Sequence, residues 1–169
     1  MSGATGATGP LPPTSSSATG MSAQAVVPVV DASVVVDWVA PDADPRGPAR
    51  ALLDRLGSTG ATLVAPRLLI EEVANALLTG VRRGRWDGEQ ADVAFGLLRR
   101  LPVTLVDDAQ DLERAWELSR RYDEHPIYDM LYVAVADRRG EILLTADAAL
   151  RRRLARLPYV RGPGDDWSA

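Results

Sequence analysis

The chain contains no cysteine and no lysine, and it has only one histidine, His125, among its 169 residues. Without cysteine it can form neither disulfides nor thiolate metal sites, and it has no cysteine nucleophile. A single histidine also excludes a zinc site built from several histidines of one chain. Any metal site must therefore be formed mainly by oxygen ligands. The absence of disulfides fits a reducing cytoplasm, where we expect the protein to act.

Long apolar runs are also missing, and no run approaches the roughly 20 residues that span a bilayer, so we expect no membrane insertion. The formal net charge of −4 argues against broad, non-specific attraction to nucleic acid. All 19 basic residues are arginine, a side chain that suits bidentate contacts with phosphate. Arginine clusters are more often solvated helix ends, and both interpretations stay open.

Composition divides the chain into one folded domain and two short tails. Residues 1–24 are rich in glycine, serine, threonine, alanine and proline and carry no charge, which predicts a disordered tail. The folded pattern begins only after Met21, so this methionine is a candidate start of the protein. We expect a single domain over residues 25–163 and a C-terminal tail over 164–169.

Short β-branched or apolar runs alternate with helical segments, which is typical of a parallel sheet flanked by helices. The predicted fold class is α/β, with three α/β/α layers and a parallel sheet of four or five strands. Strands are expected near 26–31, 62–65, 103–106 and 141–145, with a further short strand near 158–160. Helices are expected near 32–39, 46–57, 67–82, 87–100, 108–122, 126–138 and 147–156. Asp87 and Gln90 form a candidate capping box, and Pro126 fits a first helical position.

Two aspartates follow predicted strands: Asp31 closes VVPVVD, and Asp147 follows ILLTA. Ligands in open α/β sheets gather beyond the carboxyl ends of parallel strands, so both positions are expected for site residues. The alternative for each is that the aspartate only caps the helix that follows it. Ser33 could perform the cap at the first of these helices.

Glu71 and Glu72 are adjacent, and helical geometry distinguishes them. At about 100° per residue, Leu69, Val73, Ala76 and Leu77 form an apolar arc, and Glu72 lies near its edge. Glu71 points away from the arc and is expected to be solvated. Glu72 is therefore the candidate that can reach into a crevice, although periodicity alone also allows both to be surface charges.

Asp129 is the only charge within IYDMLYVAVA, a stretch that is apolar nearly all round a helix and should be buried. The helix dipole tolerates an anion in the first turn, but that does not explain why a buried helix carries one. We therefore favour a functional role for Asp129. His125 stands just before Pro126 and is interpreted as a cap or turn residue rather than a general base.

Four carboxylates that converge at one edge of a sheet would repel each other unless a cation joined them. Carboxylate oxygens favour Mg²⁺ or Mn²⁺, which can activate water and neutralise a phosphodiester. The candidate metal ligands and catalytic residues are Asp31, Glu72, Asp129 and Asp147. A hydrolytic nuclease is the function that this chemistry favours.

The segments VVDASVVVDW, LLIEEVANAL, IYDMLYVAVA and LLTADAAL, in this order, resemble the PIN-domain ribonucleases and most closely the VapC-like toxins of toxin–antitoxin pairs. The resemblance covers about residues 27–162. It matches the family's acidic positions to Asp31, Glu72, Asp129 and Asp147. Ser33 and Thr145 match hydroxyl positions beside the acidic cluster, and Asn75 is a candidate to orient Glu72.

The resemblance implies a metal-dependent endoribonuclease acting on RNA, a homodimer, and a cognate antitoxin protein that blocks the acidic groove. A competing hypothesis is a non-catalytic protein-binding module that captures a basic partner segment in its acidic cleft. A phosphatase with a strand-end aspartate as nucleophile is less favoured, because such enzymes usually carry a second aspartate two positions later, where this chain has Ser33.

Overall fold

The computed structural model describes residues 27–166, and the predicted tail over 1–24 lies outside the described residues. A five-stranded parallel sheet forms the centre, in the order β3-β2-β1-β4-β5. Its strands are short: β1 Val29–Val30, β2 Leu63–Pro66, β3 Val103–Val106, β4 Leu143–Leu144 and β5 Val160–Arg161. The sheet and its parallel direction confirm the predicted α/β fold class, and β5 confirms the optional fifth strand.

Helices connect the strands and cover the sheet: α1 Ala32–Val39, α2 Pro48–Thr59, α3 Leu69–Arg82, α4 Gly88–Leu98, α5 Ala109–Arg121, α6 Ile127–Arg139 and α7 Ala148–Arg153. Most predicted bounds agree within two residues. The last helix ends three residues before the predicted 156, because Leu154 leaves the helical conformation at the C-cap. Pro126 is the N-cap of α6 rather than its first helical residue. The capping box of Asp87 and Gln90 is confirmed, with both reciprocal hydrogen bonds present.

The helices form two groups that match a three-layer α/β/α arrangement. Helices α1 to α4 pack on one another, whereas α5 packs on α6, which in turn contacts β1, β2 and β4. The strands β1, β2 and β4 are buried at every position, as expected for a parallel sheet covered on both faces. Six side chains of α6 are also buried, which confirms the prediction of a buried helix around Asp129.

No helix in the described part of the chain, residues 27–166, has the length and apolar character that crossing a membrane requires.

Candidate active site

The register of two neighbouring strands brings Asp31 and Thr145 together. Val29 and Val30 of β1 pair with Leu143 and Leu144 of β4, so the next residue on each strand emerges at the same place. The direction in which the chain adds strands to the sheet also changes here. After β1 the chain adds β2 and β3 on one side of β1, and it later adds β4 and β5 on the other side. Such a switch point is where open parallel sheets form their ligand crevice.

Asp31 occupies the N-cap position of α1, but its carboxylate makes no capping hydrogen bond. Instead, the hydroxyls of Ser33 and Thr145 both donate to Asp31 Oδ2, at 2.7 and 2.5 Å. The residue is only 6% exposed. The cap that the sequence allowed as an alternative is therefore absent, and Ser33 and Thr145 lie beside the acidic residue as expected.

Glu72 lies in the first turn of α3, the helix that follows β2. It is half-buried, whereas Glu71 is exposed and lies 3.8 Å from Arg67 in a surface ion pair. This burial confirms the choice of Glu72 over Glu71 as the residue that faces inward. The hydroxyl of Tyr132, a fully buried residue of α6, donates to Glu72 Oε2 at 2.5 Å.

Asp129 lies in the first turn of α6, one turn before Tyr132. Its Oδ2 accepts a hydrogen bond from His125 Nε2 at 2.8 Å, and the His125 side chain is only 15% exposed. His125 is thus more than the cap or turn residue predicted from the sequence, because it contacts a candidate site residue directly.

Asp31, Glu72 and Asp129 interact electrostatically. Burial raises the pKa of Asp31 above its ordinary value, with a further rise from Asp129, while the bonds from Thr145 and Ser33 partly offset this. Burial likewise raises the pKa of Glu72, and the charges of Asp31 and Asp129 add to the rise, against the bond from Tyr132. Neither Asp31 nor Glu72 has an arginine within ion-pair distance among residues 27–166. Negative charge is therefore concentrated here without a compensating arginine.

Two other predicted site residues have different surroundings. Asp147 caps α7, since its Oδ1 accepts from the backbone N–H groups of Ala149 and Leu150 at 2.7 and 2.9 Å. This is the structural role that the sequence left open. Asn75 is exposed, and the described residues show no hydrogen bond between it and Glu72. Tyr132 holds Glu72 in the way expected of Asn75.

Sequence reasoning missed Tyr132 and undervalued His125. Tyr132 follows Asp129 by three residues, a spacing that places both side chains on one helical face, whereas His125 lies before α6 and outside this periodicity. The signal was therefore present, but the apolar surroundings of Tyr132 favoured an ordinary core role. Among residues 27–166, no three histidine, aspartate or glutamate side chains lie close enough together to hold a metal ion as they are placed.

Residues 29–155 match the PIN domain, and the chain therefore belongs to the PIN-domain family. It is 38% identical over 124 residues to ribonuclease VapC3 of Mycobacterium tuberculosis, covering 73% of this chain and 85% of that protein.

Solved structures have the same fold. PAE2754 from Pyrobaculum aerophilum superposes with a TM-score of 0.61 at 24% identity, covering 83% of this chain and 92% of that one. A toxin–antitoxin complex from Klebsiella pneumoniae contains a chain with a TM-score of 0.55 at 17% identity, covering 80% and 96%. At these identities the two structures establish the fold alone.

Proposed function

We propose that this chain is an endoribonuclease, the toxin of a toxin–antitoxin pair, and that it hydrolyses RNA phosphodiester bonds at the site of Asp31, Glu72 and Asp129. The observation that carries the proposal is Asp31, a buried aspartate at a helix N-cap that does not cap its helix and interacts with two further carboxylates. A carboxylate serving only the fold would be expected to cap or to pair with an arginine. Identity to ribonuclease VapC3 over most of the chain supports the same activity.

The donor types fit a divalent ion of the Mg²⁺ or Mn²⁺ type, but the side chains of residues 27–166 would have to move closer together than the structure places them to hold it. All donors are carboxylate oxygens. Burial is the main cause that raises the pKa of Asp31 and Glu72, repulsion by the neighbouring carboxylates adds to it, and a cation would stabilise the charged forms against both effects. Asp31, Glu72 and Asp129 would hold the ion. Asp147 Oδ2 is a further candidate, since the hydrogen bonds of Asp147 within residues 27–166 go to Oδ1. When bound, such an ion supplies charge neutralisation and activation of water for phosphodiester hydrolysis.

The remaining groups of the site fix the orientation of its carboxylates. Ser33 and Thr145 both donate to Asp31 Oδ2. The Ser33 hydroxyl also accepts a hydrogen bond from the Ala146 backbone N–H at 3.0 Å, which ties α1 to the end of β4. Tyr132 holds Glu72, and His125 holds Asp129. Each carboxylate therefore keeps one oxygen on the protein and can present the other to the reaction. Such preorganisation avoids reorganisation during catalysis.

The proposal includes a cognate antitoxin protein, a homodimer and action in the cytoplasm, where cellular RNA is available. The likeness of the fold to a chain solved within a toxin–antitoxin complex supports the antitoxin.

The test is RNA cleavage by the purified chain, without a partner, in Mg²⁺, Mn²⁺ or EDTA. Asp31→Asn, Glu72→Gln and Asp129→Asn should each abolish metal-dependent cleavage while circular dichroism shows intact folding. Glu71→Gln is the matched control, because it removes the same charge from the neighbouring, exposed residue. The proposal is wrong if Glu72→Gln cleaves RNA as well as Glu71→Gln does.

A further inference from the structure

Two adjoining pockets lie beside the acidic site, and arginines dominate their lining. The first has a volume of about 490 Å³ and is lined by Asp123, His125, Ala149, Arg152 and Arg153. The second has a volume of about 370 Å³ and is lined by Arg121, Tyr122, Arg152, Arg153, Ala155 and Arg156. Arg152 and Arg153 line both pockets, so the two form one continuous surface, which we call the α7 arginine surface.

Three arginines of the α7 arginine surface are available to a ligand. Arg121, Arg152 and Arg156 are exposed and form no ion pair within residues 27–166. Arg153 differs, because its Nη1 donates to the Tyr122 carbonyl and to Asp123 Oδ2 at 3.1 and 2.9 Å. The surface thus concentrates positive charge in a chain whose net charge is −4. Such a patch attracts anions locally, whatever the overall charge.

The α7 arginine surface is joined to the acidic site through His125. This residue lines the first pocket, and it also donates a hydrogen bond to Asp129. The loop before it is held in an unusual conformation, since Asp123 and Glu124 have φ values of 58° and 48°. Non-glycine residues in this region are strained, and Arg153 anchors the loop through Tyr122 and Asp123. The link between the pocket and Asp129 is therefore fixed by the fold.

We propose that the α7 arginine surface binds the backbone phosphates of single-stranded RNA next to the bond that is cut. This inference rests on the proposed function and names the part of the site that holds the substrate. Carboxylates at the reacting centre repel a phosphodiester, so binding needs cationic groups on the flanking nucleotides. Guanidinium groups match phosphate in a bidentate geometry. The lining contains no large aliphatic side chain, which favours a polyanionic backbone over an apolar protein segment.

Arg152 and Arg156 are the residues to change, because both are exposed and neither anchors the loop. Arg153 is left intact, since its loss would disturb the segment that carries His125. The double variant Arg152→Ala/Arg156→Ala is compared with Arg99→Ala/Arg100→Ala. The control arginines are also exposed and stand between the end of α4 and the start of β3, at the amino edge of the sheet. Both variants lower the net charge by two, so only the location differs.

Binding of a fluorescent random-sequence RNA 20-mer is measured by anisotropy in proteins that also carry Asp31→Asn, which keeps the RNA intact. The Arg152/Arg156 variant should raise Kd on the order of tenfold for RNA of any sequence. In a plot of log Kd against the logarithm of the salt concentration, the slope should fall by about 1.4. Each contact with a phosphate of a single strand contributes about 0.7 to this slope, and the variant loses two contacts. The Arg99/Arg100 variant should bind within about twofold of its parent, as expected of surface charges far from the RNA.

Three results would overturn the inference. Both double variants could weaken RNA binding equally, or neither could weaken it. Polyglutamate of matched charge could also bind as tightly as RNA, with the same dependence on Arg152. The last would assign the surface to an acidic protein segment.

Cleavage assays without Asp31→Asn separate the two proposals. If the wild-type chain cuts RNA and the Arg152/Arg156 variant cuts it with unchanged KM, the surface is misassigned and the nuclease stands. If RNA binding depends on Arg152 but no RNA is cut, the nuclease fails and the binding surface stands.

Discussion

The hydroxyl of Tyr132 donates a 2.5 Å hydrogen bond to Glu72 Oε2 and so joins α6 to α3 within the acidic site. Burial raises the pKa of the Tyr132 hydroxyl, and the bond to Glu72 raises it further, so the tyrosine stays protonated as a donor. In return, the bond lowers the pKa of Glu72 against the opposing effect of burial. Tyr132 therefore favours the charged form of a carboxylate that its surroundings disfavour.

Tyr132→Phe should move the acid limb of the cleavage profile to higher pH. Without the hydroxyl the pKa of Glu72 rises further, so a larger fraction is protonated at any given pH and activity recovers as the pH increases. A hydrogen bond to a charged group contributes about 1.5–3 kcal/mol, so the limb should move by about one pH unit or more. Tyr159→Phe is the control, since its hydroxyl contacts Asp137 and it precedes β5 at the amino edge. An unchanged profile in Tyr132→Phe would rule out this role.

Asp31→Asn should stabilise the protein in EDTA while abolishing cleavage. The pKa of Asp31 is raised in the folded state, chiefly by burial, so its ionised form destabilises the fold. This destabilisation is fully present when the pH is above the pKa of Asp31 in the folded state. It decreases as the pH falls toward the ordinary pKa of aspartate, and it is absent below that value. Thermal unfolding should show a higher Tm for Asp31→Asn at neutral pH, by about 2–4 °C per kcal/mol, and a shrinking difference as the pH falls.

Asp111→Asn is the contrasting control, because Asp111 is equally buried but accepts hydrogen bonds from Arg138 at 2.6 and 2.9 Å. Its loss should lower Tm, since it removes both hydrogen bonds and leaves the guanidinium with only Asp108, at 3.5 Å, as a charged partner. A fall in Tm for both variants would mean that Asp31 serves the fold.

Divalent ions should stabilise the wild-type chain and not its site variants. A ligand that binds only the folded state at 100 times its Kd adds about 2.7 kcal/mol to the free energy of unfolding. Mg²⁺ or Mn²⁺ should therefore raise the Tm of the wild type and of Glu71→Gln, and EDTA should reverse the rise. Asp31→Asn and Glu72→Gln should show little response. Equal responses in all four proteins would place the ion elsewhere.

The sequence predicted the fold, and it located the candidate site, because both inferences rest on local patterns. Alternating apolar runs specified the parallel sheet, and helical periodicity separated Glu72 from Glu71. Asp31 was identified from its place at a strand end, but the sequence could not say whether it capped α1. That outcome depends on the register of β1 with β4, which brings Thr145 to its carboxylate.

The contacts of His125, Asp147 and Arg152 could not be predicted in the same way. His125 contacts Asp129 at the end of a loop in which two non-glycine residues have positive φ values, a conformation that the sequence does not predict. Asp147 fits both a cap and a ligand by sequence, and its hydrogen bonds place it as a cap. The surface around Arg152 joins residues from α5 and α7 and exists only in the folded chain.

Gly80→Ala tests the packing of α3, the helix that carries Glu72. A Cβ at Gly80 would overlap the indole ring of Trp86, whose Nε1 donates to the Leu77 carbonyl at 2.9 Å. The ring is buried at 6% exposure and cannot move away without losing this bond. Overpacking of this kind costs about 1–3 kcal/mol, so urea denaturation should show a lower midpoint with an unchanged slope.

Gly57→Ala is the matched control, because Gly57 lies in α2 and a Cβ there would meet no atom within 4 Å. Alanine is the better helix former, so this variant should gain about 0.5–1 kcal/mol. The double variant Gly80→Ala/Trp86→Ala separates steric overlap from an effect of glycine on the helix itself. If overlap is the cause, Gly80→Ala should cost much less in the Trp86→Ala background than in the wild type. An equal cost in both backgrounds would locate the requirement for glycine in the backbone of α3 rather than in the indole ring.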